Sequence, residues 1–147
     1  MSARFQVAVD AADPDWLARF WATALGYRLE EPPPPYEQWS DYWRSVGVPE
    51  DELGDGYDSI VDPNGDGPRI WFQQVPEAKS GKNRLHLDVT VGGGRGVPVE
   101  VRRQRVDAEA ARLVEAGATL VRAHSQEGVD HYFVSMLDPE GNEFDVN

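Results

Sequence analysis

Apolar and polar residues alternate from the start of the chain. Phe5, Val7 and Val9 fall on one side and Gln6, Ala8 and Asp10 on the other, which predicts a half-buried strand over 4–10. Asp13-Pro14 then supplies an N-cap residue and a proline for the first helical turn. The spacing changes to that of a helix, with Leu17, Phe20, Trp21, Ala24 and Leu25 on one stripe and Gly26 as its stop. Strands are predicted at 27–30, 58–61 and 69–75, the last two joined by a turn rich in Gly, Asp, Asn and Pro.

The same order returns after a polar linker, 76–83. A strand is predicted over 84–90, then a helix over 106–116 with Ala110, Leu113 and Val114 on its buried side. Strands at 118–122, 132–137 and 143–146 complete the half. A phrase also repeats: Val61-Asp62-Pro63-Asn64-Gly65 precedes Ile70-Trp71-Phe72, and Leu137-Asp138-Pro139-Glu140-Gly141 precedes Phe144-Asp145-Val146. A repeat of this length is a supersecondary unit rather than a solenoid turn. Each half reads β-α-β-β-β, and the class is α+β.

Residues 31–56 break the repeat. Pro32 to Pro35 forbid helix and central strand, residues 36–44 form an aromatic segment that predicts one helix, and 51–56 read as loop. Such an insertion is either a cleft wall or a plug over the apolar surface beneath it.

At 147 residues the chain is expected to form a single domain over 1–147. Module one covers about 4–75 and carries the 31–56 insertion, and module two covers about 84–147. The net charge of −12 argues against nucleic acid, which needs a positive footprint. With no cysteine, disulfides, thiolate catalysis and zinc–thiolate sites are excluded. No apolar run approaches the roughly 20 residues needed to span a bilayer, and the first residues show no signal-peptide pattern. The default expectation is therefore a cytoplasmic protein that does not engage membranes.

The β-α-β-β-β order with Asp-Pro-x-Gly before each final strand resembles the vicinal oxygen chelate superfamily. That group includes glyoxalase I, bleomycin-resistance proteins, fosfomycin-modifying enzymes and extradiol dioxygenases. The chain is most similar to small bacterial glyoxalase-like domain proteins in three stretches: Phe20-Trp21 to Leu25-Gly26-Tyr27, Lys82-Asn83-Arg84-Leu85-His86-Leu87-Asp88, and Leu137 to Phe144. The resemblance covers about residues 4–146. It implies two modules whose curved mixed sheets pair around a cleft, a small-molecule ligand, and a homodimer.

The resemblance also implies metal ligands on the first and last strands of each half. With Phe144 and Val146 packed on the helix, Glu143 and Asp145 face the cleft; with Leu85, Leu87 and Val89 packed, His86 and Asp88 do. By the same alternation Gln6, Trp71 and Gln73 face it from the first half. The family-like metal quartet is then Gln6, Gln73, His86 and Asp145, and a one-residue slip would substitute Gln74 for Gln73. Its cofactor is either a divalent metal or none, because two amides, one imidazole and one short carboxylate are a poor donor set.

Within the resemblance, Asp145 and His86 are the candidate catalytic residues of a lyase or isomerase of glyoxalase type acting on a small carbonyl compound. Glyoxalase I chemistry itself is disfavoured, since a Gln at position 73 and the retracted carboxylate of Asp145 both depart from its pattern. Extradiol dioxygenation needs a second histidine ligand. His124 and His131 flank an expected loop, 125–130, and are read as exposed or turn-capping. The alternative is a metal-free ligand-binding or drug-sequestering protein of bleomycin-resistance type. Its ligand would be gripped by Trp71, Trp39 and Trp43, with Asp88 and Glu143 as acidic contacts.

Overall fold

A computed structural model describes residues 2–54 and 56–147. Met1 and Asp55, the latter in the expected 51–56 loop, lie outside the described residues. The chain divides into two compact units, residues 1–76 and 77–147, and each is a β-α-β-β-β module.

Module one contains β1 (Val7–Ala11), α1 (Pro14–Leu25), β2 (Arg28–Leu29), α2 (Trp39–Ser45), β3 (Ser59–Val61) and β4 (Ile70–Gln74), with a 3-10 turn at Glu50–Glu52. Its sheet order is β1-β4-β3-β2. Module two contains β5 (Asp88–Val89), α3 (Val99–Glu115), β6 (Thr119–His124), β7 (Phe133–Leu137) and β8 (Glu143–Val146), and its order β5-β8-β7-β6 is the same topology. In both sheets the first and last strands pair in parallel, and the other neighbours run antiparallel. A parallel pair needs a long crossover, and the helix in each module provides it.

Local chemistry explains α1 well. The Asp13 carboxylate accepts the Trp16 N–H at 3.1 Å, Pro14 opens the first turn, and Gly26 closes the helix at φ 68°. Leu17, Phe20, Trp21 and Ala24 are buried beneath it with Ile60, Ile70 and Phe72 from the sheet.

Helix α3 begins at Val99, seven residues before the expected start. The reason is Arg102, which sits on the buried stripe with Val106, Ala110 and Leu113 and is itself only 8% exposed. Its aliphatic stem packs while its guanidinium bonds the Val97 carbonyl (2.9 Å) and Asp130. A cation on the core stripe hides the periodicity. The stripe then turns to Leu113, so Val114, expected to be buried, is 44% exposed. Two further expectations fail at strand entries: Phe5 and Leu85 are 73% and 87% exposed, because each precedes the first ladder pair of its strand.

The repeated Asp-Pro-x-Gly phrase has one physical meaning in both places. Gly65 and Gly141 donate to the Asp62 and Asp138 carbonyls at 3.0 and 2.9 Å, and both glycines take positive φ, 76° and 87°. Each aspartate side chain then accepts backbone N–H groups ahead of it. Asp62 accepts from Asn64, Asp66 and Gly67, and Asp138 from Glu140 and Asn142. The phrase is a side-chain-braced turn that feeds the last strand of each sheet.

Two outcomes test this account. Phe144, 1% exposed beneath α3, anchors β8; Phe144→Ala should cost about 3–5 kcal/mol by urea denaturation, and a loss below about 1 kcal/mol would contradict that anchoring role. The N–H bonds from Asn64, Gly67 and Asp66 hold the Asp62 carboxyl below its ordinary range. Its stabilisation is therefore present above the unfolded carboxylate pKa and is lost as the pH falls through the folded value. Asp62→Asn should be less stable than the parent at pH 7, with the gap closing towards pH 2 in thermal melts followed by circular dichroism.

Candidate functional site

Module two buries one face of its sheet under α3 and leaves the other open. Val89, Val134, Met136, Phe144 and Val146 fill the covered face. Alternation sends Asp88, Phe133, Ser135, Glu143 and Asp145 to the open one. Asp88 lies directly beside Asp145 in the parallel β5–β8 pair, and Ser135 lies opposite Asp145 from β7.

Three groups converge there. His86, Asp88 and Asp145 each offer a ligand atom, and these atoms lie within 4.8 Å of one another. His86 Nδ1 is 3.1 Å from Asp88 Oδ1. An ionised carboxylate only accepts, so in the neutral ring Nδ1 carries the hydrogen and Nε2 keeps its lone pair. A carboxylate on one imidazole nitrogen with the other left as electron-pair donor is the usual outer-shell arrangement at metal sites. One imidazole and two carboxylates, exposed or half-buried, form a donor set that suits a divalent cation with open positions.

Behind Asp145 runs a line of hydrogen bonds that the sequence did not disclose. Ser135 Oγ donates to Asp145 Oδ1 at 2.8 Å, His124 Nε2 is 2.9 Å from Ser135 Oγ, and an Arg122 guanidinium nitrogen is 3.3 Å from His124 Nδ1. The serine hydrogen is committed to the carboxylate, so Ser135 accepts from His124 Nε2–H, and Nδ1 is left to accept from Arg122. His124 also stacks on Phe133, with ring centroids 4.3 Å apart. The expected exposed, turn-capping role for His124 is corrected here. A bulge between Leu120 and Arg122 shifts the β6 register by one residue, so Arg122 faces Ser135 and His124 faces Phe133. Unbroken alternation would have turned His124 to the helix side. Ser135 was legible from the alternation of 132–137; the bulge was not.

Glu143 shares the open face but stands apart from the three. The Asn83 N–H reaches it at 3.2 Å, Lys79 at 3.3 Å and Lys82 at 4.0 Å. Burial acts to raise its pKa, but the N–H bonds and Lys79 outweigh that and hold the carboxyl below its ordinary range. The linker thus occupies this carboxylate. Beside Asp88 and Asp145 lies a cavity of about 460 Å³, whose walls include Arg95, Phe133 and Asn147.

In module one Gln6, Ala8, Trp71 and Gln73 share the sheet face opposite α1, as alternation predicts. The register separates the two glutamines, however. Gln73 stands four residues along the ladder from the partner of Gln6, about 13 Å at the usual strand rise. They cannot hold one ion together. Gln6 Oε1 instead accepts from Arg69 at 3.0 Å, and the same guanidinium pairs with Glu30 at 2.6 Å. A cation already stands where Gln6 would meet a metal. Trp39, Trp43 and Trp71 line a separate cavity of about 550 Å³ within this module.

The glyoxalase-like domain family model matches residues 6–147. The chain belongs to the glyoxalase-like domain family. No curated protein matches it. Among solved structures, this glyoxalase-like protein is similar to the hypothetical protein SA1046 from S. aureus, at 15% identity and TM-score 0.60 over 99% of this chain and 93% of that one. It is also similar to a glyoxalase/bleomycin resistance protein/dioxygenase family enzyme from Burkholderia phytofirmans PsJN, at 20% identity and TM-score 0.57, covering 97% and 94%. A third likeness is to the fosfomycin resistance protein FosX from Listeria monocytogenes, at 10% identity and TM-score 0.61, covering 100% and 91%. At these identities the likeness is one of fold. It establishes the vicinal oxygen chelate architecture of two βαβββ modules.

The Asp145–Ser135–His124–Arg122 line makes a spectroscopic prediction. At neutral pH, long-range 15N–1H spectra should find His124 as its Nε2–H tautomer, and Ser135→Ala should shift the Nε2 resonance while the Arg122 contact at Nδ1 keeps that tautomer. The same substitution should cost on the order of 1 kcal/mol of stability. A predominant Nδ1–H tautomer in the parent protein would contradict the assigned bond directions.

Proposed function

We propose that this glyoxalase-like protein binds a small oxygenated molecule in the module-two cavity and acts on it as a lyase or isomerase, assisted by a divalent cation. The observation that carries this reading is the convergence of His86, Asp88 and Asp145 within 4.8 Å, beside a cavity of about 460 Å³. In this reading His86 and Asp145 hold the ion, and Asp88 either joins them or orients the imidazole from behind. When bound, the ion would polarise a carbonyl oxygen of the ligand.

The rest of the chemistry belongs to the chain. Ser135 holds one oxygen of Asp145, which leaves the other as the base for a proton on the carbon next to the carbonyl. Arg95 at the cavity wall attracts an anionic or oxygen-rich end of the ligand, and Phe133 provides an apolar side. Gln6 and Gln73 play no part in holding the ion. The proposal includes a homodimer in the cytoplasm, which rests on the family likeness and the sequence features alone.

Calorimetric titration with nickel, zinc, manganese and cobalt tests the ion. One of them should bind the parent protein with a one-to-one stoichiometry, and His86→Ala and Asp145→Asn should each weaken it at least tenfold. Metal-dependent deuterium exchange at the carbons flanking the carbonyl of hydroxyacetone, lost in Asp145→Asn even at metal concentrations that saturate the variant, would support the base. If the parent binds no metal, the catalytic reading falls and a metal-free binding protein takes its place.

A further inference from the structure

The 31–56 insertion builds a feature that the module-two site does not use. Its helix α2 has seven residues, three of them aromatic, yet none of the seven is fully buried. A helix this short has little stability of its own, and it is held by side chains. Trp39 Nε1–H bonds the Glu30 carbonyl at 2.8 Å, and Arg44 bridges Asp41 and Glu50. Trp39 and Trp43, one turn apart, stack with centroids 5.4 Å apart and planes 21° from parallel. Rings that served only to plug the sheet would be covered. These two stay half-exposed and line the 550 Å³ cavity with Tyr57 and Trp71.

The cavity is also acidic. Asp13, Asp15, Glu52 and Asp58 belong to its lining, and no lysine or arginine does among the described residues. Asp15 is neutralised by Arg19 at 2.8 Å, whereas Asp58 accepts the Trp71 indole N–H at 3.1 Å and the Ser59 hydroxyl at 2.8 Å and has no ion pair among the described residues. Glu52 is exposed at the rim. Indole faces attract cations through the ring quadrupole, and nearby uncompensated carboxylates add to that attraction. An anionic ligand would be repelled by Glu52 and Asp58, and a neutral one would gain nothing from the carboxylates.

We propose that this cavity is a second ligand site, independent of the module-two chemistry, and that it takes an organic cation with a flat or quaternary ammonium head. The charged head lies against the Trp39–Trp43 stack and Trp71, with Glu52 and Asp58 supplying the counter-charge. The insertion is then a recognition element for that cation and not a cover for the sheet.

Two probes of the same ring separate charge from shape: N-methylquinolinium and, at pH 7.5, neutral quinoline. Titration calorimetry with tryptophan fluorescence should show N-methylquinolinium binding at least tenfold more tightly than quinoline, with the advantage shrinking as salt is raised. Trp43→Ala should weaken the cation at least tenfold, and the surface change Glu52→Gln about threefold without altering the circular dichroism spectrum. Asp145→Asn should leave this binding unchanged, which separates the site from the module-two cluster. Equal binding of the two probes, no binding of the cation at millimolar concentration, unaltered binding in both Trp43→Ala and Glu52→Gln, or loss in Asp145→Asn would each overturn the proposal.

Discussion

The parallel pairing of the first and last strands in each module is the constraint on which the rest depends. It obliges the chain to cross over between them, and the crossover helix covers one face of the sheet. Apolar side chains on β7 and β8, above all Met136, Phe144 and Val146, must then point to α3. Every second residue is left on the open face. Asp145 is therefore exposed to a ligand because Phe144 and Val146 are not, and β5 brings Asp88 alongside it. The acidic cluster is a by-product of burying the hydrophobic half of two strands.

The open face is differentiated by what each carboxylate meets. Glu143 is drawn into the 77–83 linker by Lys79, Lys82 and Asn83. Asp145 meets a hydroxyl backed by a histidine and an arginine, and Asp88 meets an imidazole. Lysines compensate the first charge directly. The other two carboxylates retain the capacity to act on something that arrives from solution. Electrostatic context thus separates three acidic residues that alternation treats as equivalent.

The two modules repeat in topology and in the braced Asp-Pro-x-Gly turn, but not in what they present. Where module two carries Asp88 beside Asp145, module one carries Ala8 beside Trp71, and the His86 and Glu143 positions are taken by Gln6 and the Arg69 that binds it. Its distinctive surface comes instead from residues outside the repeat, the aromatic α2 and the loop after it. The fold is conserved between the halves because the turn and the covered sheet face each have a local physical cause. Nothing local obliges the open faces to match.

Periodicity in the amino-acid sequence was enough to place the two β-α-β-β-β modules, the buried stripe of α1, the turns at Asp62 and Asp138, and the shared face of Asp88 and Asp145. These follow from short-range spacing, which one-dimensional patterns report directly. The tertiary structure alone decided the features that depend on register and on long-range partners. The β6 bulge brought His124 to Ser135, the β1–β4 ladder parted Gln6 from Gln73, and distant contacts carried Arg102 into the core and set Glu143 against the linker lysines. A single inserted residue or one buried guanidinium reverses the meaning of an alternating pattern, and only the partner across the sheet or beneath the helix reveals it.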